Sequence, residues 1–150
     1  MRGRALVFGL VLAACGKPPT GPSGFALVGA RGSANPMCLW LADTTALQER
    51  GLMDVASLGR ASGMVFRFDA PTRTAFYMYQ TRIPLTVVFV DQGGFVLEAI
   101  EMDPCAEADA KKCTIYAPKQ PYSQAIEVAA GKSASLGLEI GSTVTFTPSC

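Results

Sequence analysis

Five residues in the middle of the chain have side chains that could line a binding site: Arg50, Phe76, Met78, Gln80 and Thr81. An aromatic ring beside a guanidinium, an amide and a hydroxyl group is typical of a groove for a small molecule or a sugar. A structural interpretation stays open beside this one. In it, Arg50 ends a helix and pairs with an acid, Phe76 and Met78 belong to the core, and the other two residues form a turn.

The chain contains no histidine, which limits the chemistry that it can perform. Ser-His-Asp and Cys-His catalysis and histidine-based metal sites are excluded, and a general acid or base would have to be Asp, Glu, Lys, Tyr or Cys. Asp69 and Asp91 are interpreted as turn residues. The alternative, a carboxylate pair for hydrolysis, needs the fold to bring them together. The sequence therefore predicts no catalytic residue and no cofactor.

The methionine and lysine residues that could do chemistry also have structural interpretations. Met53, Met64 and Met78 could bind Cu(I) through their thioethers, but methionine commonly fills gaps in a core, and no metal site is predicted. Lys111 and Lys112 are expected to form a solvated loop tip.

The first fifteen residues have the pattern of an export signal. Arg2 and Arg4 precede an uncharged apolar run, and the small residues at its end are followed by Cys15. This resembles a bacterial lipoprotein signal, in which residues 1–14 are removed and Cys15 is acylated. The alternative is an ordinary secreted protein. The apolar run is too short for a spanning helix, which needs about 20 residues. Residues 15–24 are then a lipidated cysteine with a Pro/Gly tether, and 25–150 a β-rich domain.

The signal predicts the location of the protein and the partners available to it. We expect it in the cell envelope, anchored to the membrane through Cys15. Because Gly16 rather than aspartate follows Cys15, an organism with two membranes would place it in the outer one, facing the periplasm or the cell surface. Loss of Arg2 and Arg4 reduces the basic residues from 13 to 11, against 12 acidic ones, so no nucleic-acid partner is expected. The expected role is to bind a small molecule, glycan or envelope partner. An envelope hydrolase and a structural or assembly accessory are the alternatives.

Four cysteines remain after Cys15, namely Cys38, Cys105, Cys113 and Cys150. They allow three pairings, and export favours disulfides. Cys105 and Cys113 flank a short polar loop, so we expect them to pair with each other. Cys38 would then pair with Cys150 and join the two ends of the domain. A metal or redox site is the alternative, but the sequence has no C-x-x-C motif and no histidine.

The pattern of apolar residues predicts strands along most of the domain. Residues 63–68 alternate, and residues 83–90 and 95–100 flank an Asp91–Gly94 turn, as in a hairpin. Further strands are predicted at 38–42, 74–78, 124–128 and 143–147, with a short helix or turn at 131–137. Thr45 and Gln48 form a capping-box pattern for a helix that stops at Gly51. The expected fold is mainly β, a compact single-domain barrel or sandwich with one or two short helices.

The order of these landmarks resembles the family known as domain of unknown function 192. The resemblance covers about residues 39–146 and rests on an ordered set of short matches: Arg50-Gly-Leu-Met53, Gly63-Met-Val-Phe66, Phe76-Tyr-Met78, Ile83-Pro-Leu85 and Ala125-Ile-Glu-Val128. It implies a compact β-rich fold and no established activity. In the central motif the chain departs from the family pattern: Tyr77 replaces a usual Trp, Tyr79 a Lys and Gln80 an Asn. Chemistry that relied on that Lys or Asn would be altered here.

Overall fold

The computed structural model describes residues 24–30, 36–147 and 150. Its main element is one curled sheet of seven strands, accompanied by one short α-helix and two 3-10 turns. This confirms the mainly β, single-domain fold expected from the sequence. The strands are β1 (Phe25–Ala30), β2 (Met37–Ala42), β3 (Gly63–Thr72), β4 (Leu85–Val90), β5 (Val96–Met102), β6 (Tyr122–Ala129) and β7 (Val144–Thr147), the helix is α1 (Thr45–Arg50), and the 3-10 turns are Ala110–Lys112 and Ala134–Leu136.

The strands follow the order β5-β4-β6-β3-β2-β1-β7 across the sheet. Every neighbouring pair is antiparallel except β2 and β3, whose connection contains α1. The two outer strands meet at one end of the sheet. There, the backbone N–H of Val96 donates to the carbonyl of Ser142 at 2.9 Å, and that of Val144 donates to Gly94 at 2.8 Å. The sheet therefore curls into a half-barrel that is closed at one end.

Two hydrophobic clusters lie on opposite faces of the central strands. Val65, Val88 and Ile126 belong to one cluster, while Met64 and Phe66 belong to the other. Successive residues of a strand point to opposite faces, so the alternation in residues 63–68 distributes its side chains between the two clusters. Strand β4 is buried at all its positions because each of its faces contributes side chains to one of the two clusters.

One strand was not predicted, and one strand prediction was wrong. Residues 25–30 form a strand that the sequence analysis did not assign, so Cys38 lies in the second strand rather than the first. Residues 74–78 do not form a strand and make only one bridge, between Phe76 and Tyr116. The β-favouring side chains of this segment contribute burial instead, because Phe76 and Met78 are both part of the core.

Local details around the helix and the turns also differ from the predictions. The N-cap is Thr44 and not Thr45, since the Thr44 hydroxyl accepts from the Leu47 backbone N–H at 3.3 Å. The helix does stop before Gly51, which has a φ of 48°. Asp69 lies within β3 rather than in a turn. Asp91 opens the hairpin turn as predicted, where its Oδ1 accepts from the Phe95 N–H at 2.8 Å.

The described residues contain two disulfides, Cys38–Cys150 and Cys105–Cys113, which are the pairs expected from the spacing. The first connects β2 to the C-terminal residue, and the second closes the loop that contains exposed Lys111 and Lys112. The described part of the chain has no helix that is long and apolar enough to cross a membrane. The predicted signal peptide, Cys15 and the tether up to position 23 lie outside the described residues.

A groove between helix α1 and the sheet

A groove of about 370 Å³ lies on the face of the sheet that carries α1. Helix α1 and the residues that follow it form one wall, and residues 74–77 with Thr81 form the opposite wall. Strands β3 and β6 contribute the floor through Phe66, Phe68 and Glu127. The groove thus lies between a short helix, an irregular segment and the sheet.

Aromatic rings supply most of the apolar surface of the groove. Phe66 and Phe76 pack edge to face with ring centroids 5.0 Å apart, and Phe76 also packs against Phe89 at 5.8 Å. Phe68 packs edge to face against Tyr122 at 5.5 Å. These contacts hold the rings of the floor and wall in place, while Tyr77 is 38% exposed at the rim. A ligand in this groove would meet preformed aromatic surfaces.

Glu127 places a carboxyl group on this apolar floor. Strand register puts it between Met64 of β3 and Val87 of β4, and only 4% of the residue is exposed. Burial raises the pKa of Glu127 to about 8, so the carboxyl is mainly protonated at neutral pH. Its Oε2 atom has no hydrogen-bond partner among the described residues. Buried polar atoms are generally paired, so this atom points to a partner that the protein itself does not supply.

A glycine next to Glu127 allows β3 and β6 to approach closely at this point. Gly63 pairs with Val128, and a Cβ atom at Gly63 would collide with the carbonyl oxygen of Glu127. A side chain there would push the strands apart, since the obstacle is backbone. Gly63 is therefore required for the position of the groove floor.

The helical wall is held against the sheet by a side chain. The Nε2 group of Gln48 donates to the carbonyl of Arg67 in β3 at 2.6 Å. Arg50 lies in the last turn of α1 and lines the groove beside Glu49. The loop after the helix is connected to the opposite wall, because the Asp54 N–H donates to the carbonyl of Gln80 at 2.9 Å. Both walls are thus fixed by hydrogen bonds.

The groove brings together three of the five residues that the sequence singled out, namely Arg50, Phe76 and Thr81. Thr81 is 7% exposed, and its hydroxyl donates to the Tyr79 carbonyl at 3.4 Å. Met78 is a core residue with 1% exposure and does not line this groove. Gln80 is exposed and has a φ of 53°, which makes it a turn residue. A role in ligand binding stays a prediction for all five.

Met78 lines a second, smaller cavity of about 250 Å³ beside the Cys105–Cys113 disulfide. Its other lining residues include Asp103, Glu107 and Lys112, so its surface is mainly polar. Met64 packs with Met78 in the same core cluster, while Met53 lines the larger groove. No group of three or more His, Cys, Asp or Glu side chains that could hold a metal ion occurs in the part of the chain that the structure describes.

Glu127, whose buried carboxyl distinguishes the groove, was not predicted as a site residue. Residues 124–128 were predicted to form a strand, with no face assigned to Glu127. The available signal was the apolar residue on each side, Ile126 and Val128, in a strand that would need apolar residues on both faces. Gln48 was assigned to a capping box, and its contact with Arg67 could not be foreseen from local spacing.

Comparison with known proteins identifies the family of this chain. The sequence profile of the family described as "Uncharacterized ACR", domain of unknown function 192, matches residues 26–146. The chain therefore belongs to this family, as the landmarks in its sequence indicated. A search of the curated proteins found no match.

Two solved structures share the fold. One is a proposed transcription regulator from Sinorhizobium meliloti, with a TM-score of 0.68 and 24% identity over 81% of this chain and 91% of that one. The other is a protein of unknown function from Novosphingobium aromaticivorans, with a TM-score of 0.64 and 29% identity over 86% of this chain and 89% of that one. The first likeness is evidence for the fold alone, and neither specifies a binding or catalytic role.

Proposed function

We propose that this protein is an exported, lipid-anchored binding module of the cell envelope, and that the groove beside α1 holds a small molecule or a glycan. The observation that carries the proposal is the Oε2 atom of Glu127 on the floor of the groove, which has no hydrogen-bond partner among the described residues. A bound ligand would supply the missing hydrogen bond. No catalytic step is needed to account for the groove.

The size and lining of the groove support binding. Ligand sites commonly have volumes of about 300–1,000 Å³ and combine an apolar lining with a few polar groups. The groove, at about 370 Å³, is within that range and combines aromatic rings with Arg50, Thr81 and Glu127. Such a site fits a compact ligand, or one residue of a longer glycan.

The envelope location is argued from the sequence and the disulfides. The basic start, apolar run and Cys15 have the order expected of a lipoprotein signal. Two disulfides favour an oxidising compartment, such as the periplasm or the cell surface. Acylation of Cys15 can be tested by mass spectrometry of the N-terminal peptide. A mature chain that starts elsewhere, or an unmodified Cys15, would contradict the anchor.

A thermal-shift screen tests the binding function. The full-length protein in detergent is heated with envelope glycans, peptidoglycan fragments and nucleotides. A ligand at 100 times its Kd adds about 2.7 kcal/mol to stability, which is readily seen as a higher melting temperature.

Two matched variants locate the site of any hit. Ala75 lines the groove, so Ala75→Trp should fill the groove and abolish the shift. Ala70 is exposed on β3 and does not line the groove, so Ala70→Trp should retain the shift. No hit across the library, or hits that survive Ala75→Trp, would contradict the proposal.

A second candidate function is hydrolysis of envelope polysaccharide. It is favoured by one observation, namely that a carboxyl with a raised pKa shares the groove with a second acid, Glu49. Glycosidases use such a pair, one member as the acid and the other as base or nucleophile. The test is release of reducing ends from the same glycans. Release that is lost in both Glu127→Gln and Glu49→Gln would establish an enzyme, whereas intact glycans would leave the binding module.

A further inference from the structure

We propose that the ligand of the groove carries a primary ammonium group, which binds at Oε2 of Glu127 between the aromatic rings of the groove. This inference rests on the proposed binding function and names the chemical class of the ligand. It follows from three properties of the groove: the surroundings of Glu127, the charges along the walls, and the rings.

In the part of the chain that the structure describes, no residue donates a hydrogen bond to Oε2 of Glu127. Its cross-strand neighbours are the apolar residues Met64 and Val87, and Phe66 lies diagonally opposite on the same face. A buried atom so placed is generally paired, and a ligand in the groove can supply the partner that the protein does not. An ammonium group has three donors, so it can satisfy Oε2 and still contact groups further up the wall.

The charges along the groove favour a cation. The ionisable residues that line it are Glu49 and Arg50 from α1, Tyr77 from the opposite wall, and Glu127 from the floor. Arg50 is engaged in an interaction of its own. Met64 and Phe66 of β3 and Val87 of β4, which face Glu127, carry no charge. With Glu127 ionised, the groove lining carries two acids, Glu127 on the floor and Glu49 on the wall, against one base, Arg50.

The rings favour the same kind of ligand. Phe66, Phe68, Phe76 and Tyr77 all line the groove. Aromatic faces attract cations such as the lysine ammonium group, most strongly where water is excluded. A neutral hydroxyl would gain only a hydrogen bond in this environment, whereas an ammonium would gain an ion pair and the ring contacts together.

Binding of an ammonium group displaces the proton of Glu127. The neutral carboxyl loses one proton to solvent, the ligand keeps its three N–H bonds, and a carboxylate–ammonium pair forms. A primary amine is protonated over the whole range below pH 8, as lysine is. Its affinity should therefore rise up to about tenfold for each pH unit between pH 6 and pH 7 and level off above pH 8.

The probes are benzylamine and benzyl alcohol, which have similar shape and differ in the ammonium group. Each is titrated calorimetrically into the full-length protein, at pH 6, 7 and 8 and in two buffers of different ionisation enthalpy. We expect benzylamine to bind at least about tenfold more tightly than benzyl alcohol and to release close to one proton at pH 7. Glu127→Gln should remove this preference, and Glu139→Gln, which alters an exposed acid away from the groove, should retain it.

With these two probes, the inference is overturned by equal affinity for both, by benzylamine affinity that does not change with pH, or by benzylamine affinity that survives Glu127→Gln. If Glu127→Gln does not fold, the pH dependence of the unmodified protein decides. A neutral ligand from the library whose thermal shift is lost in Ala75→Trp would refute the ammonium class and leave the binding function intact. Absence of binding by both probes and by the whole library would refute both.

Discussion

Glu127 occupies a position where a strand buried on both faces would normally place an apolar side chain. Burying a carboxyl group is unfavourable for its charged form, so the protein binds a proton there that the unfolded chain would release. The neighbouring Gly63 brings the strands together and contributes to that burial. This residue therefore imposes a pH dependence on the stability of the whole domain.

The first prediction concerns that pH dependence. The pKa of Glu127 is about 8 in the folded protein and 4.5 as the ordinary value. Because the pKa of Glu127 is raised in the folded protein, the stabilisation that its protonated carboxyl contributes is complete below about pH 4.5. That stabilisation is lost as the pH rises through about 8. Relative to Glu127→Gln, the unmodified protein should lose stability with a slope of at most about 1.4 kcal/mol per pH unit.

Urea unfolding of both proteins at pH 5, 6, 7 and 8, with disulfides intact, measures this difference. Subtracting the two curves removes the contribution of the other titrating groups. The Gln variant should become the more stable of the two at the high end of the range. Parallel curves would show that Glu127 is not buried as the structure has it.

At the residue scale, three of the five residues chosen from the sequence line the groove, and their role in binding stays a prediction. Arg50, Phe76 and Thr81 were predictable because an Arg at a helix end and an aromatic–hydroxyl segment are local patterns. Met78 and Gln80 were chosen by the same logic but face elsewhere, since a segment without regular structure has no fixed alternation. Glu127 was missed because its burial depends on β3 and β4, which flank it on both sides and are distant in sequence.

Helix α1 is only six residues long, so its ends have a large influence on the groove wall. The second prediction is that Thr44→Ala costs about 1 kcal/mol, the usual value for loss of an N-cap side chain. Thr45→Ala should cost much less, because the Thr45 side chain makes no cap hydrogen bond. Thermal unfolding of the two variants compares them directly. A larger loss of stability for Thr45→Ala than for Thr44→Ala would contradict the Thr44 cap and support the capping box predicted at Thr45.

The third prediction concerns the close contact between β3 and β6. Gly63→Ala should destabilise the protein by about 3 kcal/mol or prevent folding, because its Cβ would meet backbone that cannot rotate away. Gly29→Ala in β1 is the matched control, since its nearest neighbour is the side chain of exposed Thr145. Its effect should stay below about 1 kcal/mol. Equal denaturant midpoints for the two variants would contradict the packing described here.

At the element scale most of the fold was predictable. Strands with clear alternation or a turn signal, such as residues 63–68 and the hairpin around Asp91, are present near their predicted positions. Residues 25–30 contain glycine and alanine and were too weakly patterned to be assigned, although β2 and β7 pair with them. Residues 74–78 have the composition of a strand but do not pair with a neighbouring strand along their length. Their apolar side chains are buried in the core instead.

The whole molecule is held together by its curled sheet and two disulfides of very different reach. Cys38–Cys150 spans 112 residues and Cys105–Cys113 spans 8. Because a disulfide lowers the entropy of the unfolded chain more when it closes a longer loop, Cys38–Cys150 should stabilise the fold by about 5 kcal/mol and Cys105–Cys113 by about 2.5 kcal/mol. Spacing predicted both pairs, but only the structure shows that the long one holds the β1–β2–β7 edge of the sheet.

The fourth prediction follows from that difference. A Cys38→Ser, Cys150→Ser double variant should lose more stability than a Cys105→Ser, Cys113→Ser double variant, as measured by urea unfolding. The groove should survive the second pair of changes, because the short loop does not line it. Equal losses would show that strain or residual structure, rather than loop length, determines the contribution of each bond.

The central claim is that the carboxyl of Glu127 lies buried in a groove that a ligand completes. Carbon-13 NMR of the glutamate carboxyl groups, with the Glu127 signal assigned from Glu127→Gln, tests it most directly. The signal should titrate near pH 8 in the free protein, shift when the first ligand found in the screen is added, and not respond to that ligand in Ala75→Trp. A Glu127 signal that titrates near pH 4.5, or that ignores a saturating ligand, would contradict the account.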